Sequence, residues 1–90
     1  MKEIAEIRKD VEGLKDHLKS KGIHQFTIDL VEETESELLE QEIGESHVDD
    51  ATMLGALAYK IDTVLEIASS ETEDYIIFQK LKLIIEEARS

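Results

Sequence analysis

The chain has no cysteine, no proline and no tryptophan, and only two phenylalanines and two tyrosines. Without cysteine there is neither a disulfide nor a thiolate metal site, and nothing points to an oxidising compartment. Without proline there is no imposed helix break. No Asn-Gly or Asp-Gly pair occurs and no alternation of apolar and polar residues persists, so the hairpin signals of a β protein are missing. The apolar runs are too short and interrupted to span a bilayer. The opening MKEIAEIRKD lacks the apolar core of a secretory signal. A soluble, cytoplasmic protein is therefore expected. Basic residues are scarce as well: ten Lys and Arg stand against 22 Asp and Glu, for a net charge of −12. Such a chain cannot neutralise phosphates without specific help, which argues against direct nucleic-acid binding. The same charge argues against an anionic membrane surface as partner.

What is present favours helix. Ala, Leu, Ile, Glu and Lys dominate, and these residues form or tolerate helix. Ninety residues make one domain. The stretch Ala51 to Ala68 organises it. Leu54, Leu57, Ala58, Ile61, Val64, Leu65 and Ala68 recur at steps of three and four, and Met53, Ala56 and Ile67 widen the apolar surface. A helix apolar on more than one side is expected at the centre of the fold.

Four helices are predicted, over about 2–21, 26–43, 47–69 and 71–88. In the first, Ile4, Ile7, Val11, Leu14 and Leu18 form a narrow seam, and Gly22 followed by Ile23 gives a C-terminal stop signal. The second carries Leu30, Val31, Thr34 and Leu38 inward with Phe26 at the margin; Thr27 is one candidate cap, and Gly44 ends it. Ser46 is the expected cap of the third helix, and Ser70 with Glu73 forms a capping box for the fourth. The fourth buries Ile77, Phe78, Leu81, Ile84, Ile85 and Ala88. Short connections favour antiparallel neighbours, so the expected architecture is an all-α, antiparallel up-down-up-down four-helix bundle. Ala51, Gly55, Ala58 and Asp62 make a ridge of small residues on the third helix, where a neighbouring helix is expected to approach closely. Ile76 and Leu83, seven residues apart on the fourth helix, share a second apolar face. That face is either part of a broadly buried helix or the surface of a homodimer.

The negative charge is concentrated. Residues 1–22 carry six basic and five acidic groups, whereas residues 23–45 carry eight acidic groups and no Lys or Arg. Glu33/Glu37 and Glu37/Glu40 are like-charge neighbours on one helix, which costs local stability. Lys2, Arg8 and Lys9 would relieve part of this if helices one and two run antiparallel. The remainder is a solvated face, a docking face for a basic partner built on Glu33, Glu37 and Glu40, or a divalent-cation site.

For cation chemistry the carboxylates to consider are Glu32, Glu35, Asp62 and Glu66. In this respect the chain in part resembles the all-α NTP pyrophosphatases. These four-helix units bind magnesium with a Glu-Glu-x-x-Glu helix and a following Glu-x-x-Asp helix. Here Glu32 and Glu33 are followed by Ser36 in the third place, and Asp62 and Glu66 are four apart rather than three. The resemblance would imply a magnesium-dependent nucleotide hydrolase. His17, His24 and His47 show no ligand spacing, and there is no phosphate loop or calcium loop. No nucleophile-elbow context supports a Ser/His/Asp triad. An Asp-Ser-Leu motif like that of acyl carrier proteins is missing, Asp29 being followed directly by Leu30. The expected function is a non-enzymatic, acidic helical module that binds another protein, as an adaptor, inhibitor or immunity-type factor, with no cofactor. Imitating a nucleic-acid backbone is a special case of that role. A structural homo-oligomer is the third possibility.

Overall fold

A computed structural model describes residues 1–90 and is all-helical. Helix α1 spans Ile4–Gly13, a 3-10 helix follows over Leu14–Lys19, α2 spans Gln25–Glu42, α3 Asp50–Ile67 and α4 Glu73–Arg89. No helix is long and apolar enough to cross a membrane. One cluster of 18 buried apolar residues joins all four helices. Ile4, Ile7, Val11 and Leu14 are all in it, so the seam of the first helix packs inside the molecule.

Ion pairs give the relative sense of the first two helices. Arg8 meets Glu42 and Lys15 meets Glu35, so seven residues forward in the first segment match seven residues back in α2. The two are antiparallel, and Arg8 reaches the C-terminal end of α2 as expected. Lys2 does not: its ammonium pairs with Asp10 at 3.2 Å, and its backbone N–H donates to Ala88 O at 3.3 Å. Lys82 pairs with Asp62 at 2.9 Å across α3 and α4, which form the second closely packed pair. These two hairpins are the tight units of the fold, and α2 and α3 approach each other far less.

Several expectations are corrected. The first helix is not continuous to residue 21. It tightens into 3-10 winding after Gly13, where helix propensity is about 1 kcal/mol poorer than at alanine. Leu14 stays buried and Leu18 packs against the core, so the inward seam survives the change. The third helix starts at Asp50, not 47, because Asp49 rather than Ser46 caps it: the Thr52 N–H donates to Asp49 Oδ1 at 2.7 Å. Ser46 instead accepts the Val48 N–H in the preceding turn. The fourth helix is capped by Thr72, which accepts the Tyr75 N–H at 3.3 Å, and not by Ser70. A cap needs an extended backbone just before the first turn, and Thr72 has it, with φ −99° and ψ 156°. Gly44 does close α2 as anticipated. Its φ is +81°, and Glu45 N donates to Glu40 O at 3.0 Å, the longer bond of a Schellman turn.

Helix α4, not α3, is the element in contact with every other helix. It commits Ile77, Phe78, Leu81, Ile85 and Ala88 to the core; α3 commits Met53, Leu54, Leu57, Ala58, Ile61 and Val64 and leaves Tyr59 and Ile67 facing solvent. Hydrophobic content thus marked α3 correctly as a core helix, while α4 is the one that reaches the other helices. The close approach expected at Gly55 is absent: an added Cβ would meet nothing within 4 Å.

Candidate functional site

The N-terminus of α2 has no cap of its own. His24 occupies the N-cap position with an extended backbone and no side-chain cap bond. Instead a carboxylate from α4 binds the N-cap residue itself. Asp74, 5% exposed, accepts the His24 backbone N–H at 3.0 Å and the Thr27 hydroxyl on Oδ1, and the His24 Nδ1–H at 2.8 Å on Oδ2. Burial pushes the Asp74 carboxyl up. The hydrogen bonds from Thr27, the His24 ring and the His24 backbone outweigh that, so it lies below the ordinary carboxylate value. Thr27 is therefore a buried partner of Asp74, not a helix cap.

Beside this junction a cleft of about 340 Å³ is lined by Phe26, Val64, Ile67, Ala68 and Phe78 together with His24, Thr27, Ser69, Thr72 and Asp74. Phe26 lies edge-on to Phe78, with ring centroids 6.5 Å apart, yet remains 59% exposed. Across the mouth Ile67 is 79% exposed. The His24–Asp74 pair has the outline of a catalytic dyad but lacks a nucleophile. Ser69 Oγ accepts the Glu71 N–H, and the Thr72 hydroxyl donates to Ser69 O; neither bonds the imidazole. The arrangement ties two helix ends together.

The acidic segment sorts into paired and unpaired groups. Glu42, Glu35 and Glu33 are met by Arg8, Lys15 and Lys60. Their carboxylates raise the proton affinities of Arg8 and Lys15, by hydrogen bonding first and charge second. Glu32, Glu37, Glu40 and Glu45 have no cationic partner. Asp29, Glu32, Glu33, Ser36 and Glu37 line a shallow depression that contains no hydrophobic residue. Of the sequence-derived docking residues, Glu37 and Glu40 are free and exposed, while Glu33 is exposed but bridged to Lys60 at 3.1 Å.

The candidate cation ligands are not brought together. Glu35 faces Lys15 at 2.8 Å, Asp62 faces Lys82 at 2.9 Å, and no group of three or more His, Asp or Glu side chains converges anywhere. Asp62 and Glu66 instead border a cleft between α3 and α4 with Leu65, Tyr75, Gln79, Lys82 and Leu83. Ile76 and Leu83 are 45% and 60% exposed, which removes the expectation that α4 is simply buried on all sides.

The His24–Asp74–Thr27 junction and the Phe26–Ile67 cleft escaped the sequence reading. The signal available was a negative one: a strong helix that begins with no capping side chain at its N-cap. No protein-family model, curated protein or solved structure matches the chain.

Proposed function

We propose that the protein is an acidic helical module, an up-down-up-down bundle, that binds a basic surface of another protein through α2, in the manner of an adaptor, inhibitor or immunity-type factor. One observation carries the reading. Folding brings cations to Glu33, Glu35 and Glu42 but leaves Glu32, Glu37, Glu40 and Glu45 without any. Like charges at helical spacing destabilise the helix that bears them, and a cationic partner would relieve that strain on docking. Such a field raises association rates and makes them fall steeply with salt.

The test uses the immobilised protein and its Glu33→Gln/Glu37→Gln/Glu40→Gln variant in lysate of the source cell. A partner retained at low salt, released at high salt and captured more slowly by the variant supports the reading. An association rate indifferent to the three substitutions rules it out. A second reading, self-association through α4, has its own support in the exposure of Ile76 and Leu83, which lie on one helical face.

A further inference from the structure

The seam between α2 and α3 is built in strict antiparallel register. Phe26 and Ile67 face each other across the apolar cleft. Seven residues on, Glu33 meets Lys60, seven residues back. Four and three further, Glu37 and Glu40 share a second cleft of about 270 Å³ with Ala56 and Met53. Phe26, Glu33, Glu37 and Glu40 therefore lie on one stripe of α2, and Ile67, Lys60, Ala56 and Met53 on the facing stripe of α3. The two helices approach each other little, and Lys60–Glu33 is the one ion pair between them. The seam thus carries an apolar cleft at one end and an acidic cleft at the other, bridged between them by Lys60–Glu33. The two clefts are spaced over about 21 Å at ~1.5 Å of rise per residue, and together they form a groove.

We infer that this groove receives a basic amphipathic helix of a partner protein: an apolar side chain enters the Phe26–Ile67 cleft, and Lys or Arg residues seven, eleven and fourteen positions away meet Glu33, Glu37 and Glu40. The inference rests on the acidic-face reading and specifies its partner. Charge selects the occupant. The groove presents Glu33, Glu37 and Glu40 against a single cation, Lys60, and a second copy of a chain of net charge −12 would be repelled from it. Helix-in-groove recognition uses this kind of spaced anchor. The exposed Lys60–Glu33 pair is readily exchanged for a pair with the incoming helix.

The probe is a labelled helical peptide, otherwise uncharged, with Phe at one end and Lys seven, eleven and fourteen residues away, made in both chain directions. Its control replaces Phe by Ala. Binding is read by fluorescence anisotropy at low and high salt. The Phe peptide is expected to bind about tenfold more tightly than the Ala peptide, the change that ~1.4 kcal/mol of apolar burial produces. Ile67→Ser should erase that difference, and Glu37→Gln/Glu40→Gln should weaken both peptides and flatten the salt dependence. Both substitutions lie on the surface, and unchanged circular dichroism verifies the fold. If the Phe and Ala peptides bind alike, the groove is refuted while the acidic face stands. If neither binds at low salt, both readings fall. A self-dimer that Ile67→Ser dissociates would assign the groove to a second copy and overturn the inference.

Discussion

Replacing Asp74 tests how the two helix ends are joined. The carboxylate accepts three hydrogen bonds, from the Thr27 hydroxyl, the His24 backbone and the His24 ring, and it is 5% exposed. Asp74→Ala removes all three and strands the Thr27 hydroxyl, which is 1% exposed, without a partner. Hydrogen bonds to a charged group contribute ~1.5–3 kcal/mol each and are not additive, and the carboxylate's own desolvation offsets part of them. A loss of about 3 kcal/mol is expected, or roughly 4–8 °C of Tm per kcal/mol in a chain of this size. Asp74→Asn should be much milder, about 1 kcal/mol. Its carbonyl oxygen still accepts from Thr27 and the His24 N–H, and its amide donates to the His24 Nδ1 of the other tautomer, so only the charge assistance disappears. The two variants also differ in pH response. The folded Asp74 carboxyl lies below its ordinary value of 3.8, so the unfolded chain binds the proton more readily. The stabilisation is complete above that value and is lost as pH falls through the lower folded value. The stability gap between wild type and Asp74→Asn should therefore close in strong acid. Urea unfolding followed by far-ultraviolet circular dichroism, at a series of pH values, measures both effects. A cost under ~1 kcal/mol for Asp74→Ala, or equal costs for Ala and Asn, would refute the account of Asp74 as the tie between α4 and the start of α2.

Two glycines give predictions of opposite sign. Gly55 has open space around an added Cβ, so Gly55→Ala should stabilise the protein by about 1 kcal/mol through helix propensity. Gly44 sits at φ +81°, where Gly44→Ala should cost ~1–2 kcal/mol. Thermal melts of the two variants decide the matter, and a destabilising Gly55→Ala would reinstate a close helix contact there. Sedimentation of wild type against Ile76→Glu/Leu83→Glu tests the exposed face of α4: a dimer converted to monomer supports self-association, and two monomers remove it.

Periodicity placed the inward faces correctly because it is a property of each helix alone. Ile4, Ile7, Val11 and Leu14 point inward whether the winding is α or 3-10. Gly44 ends α2 because only a residue free of Cβ strain turns there easily. The helix starts were less legible. Serine, threonine and aspartate compete for the cap over a few residues, and the winner depends on backbone angles that the rest of the fold sets. Thus Asp49 and Thr72 serve where Ser46 and Ser70 had equal local claims.

The sequence by itself determined that the chain is helical, which side of each helix is apolar, and that the negative charge gathers on the second. Those are matters of local composition and spacing. Tertiary structure alone decided which carboxylates keep their charge unanswered, that Phe26 and Ile67 stand open across a cleft, and that the start of α2 is held by Asp74, fifty residues from His24. Each of these depends on the register between helices. That register is set by how separate side-chain surfaces interlock, and no single helix encodes it.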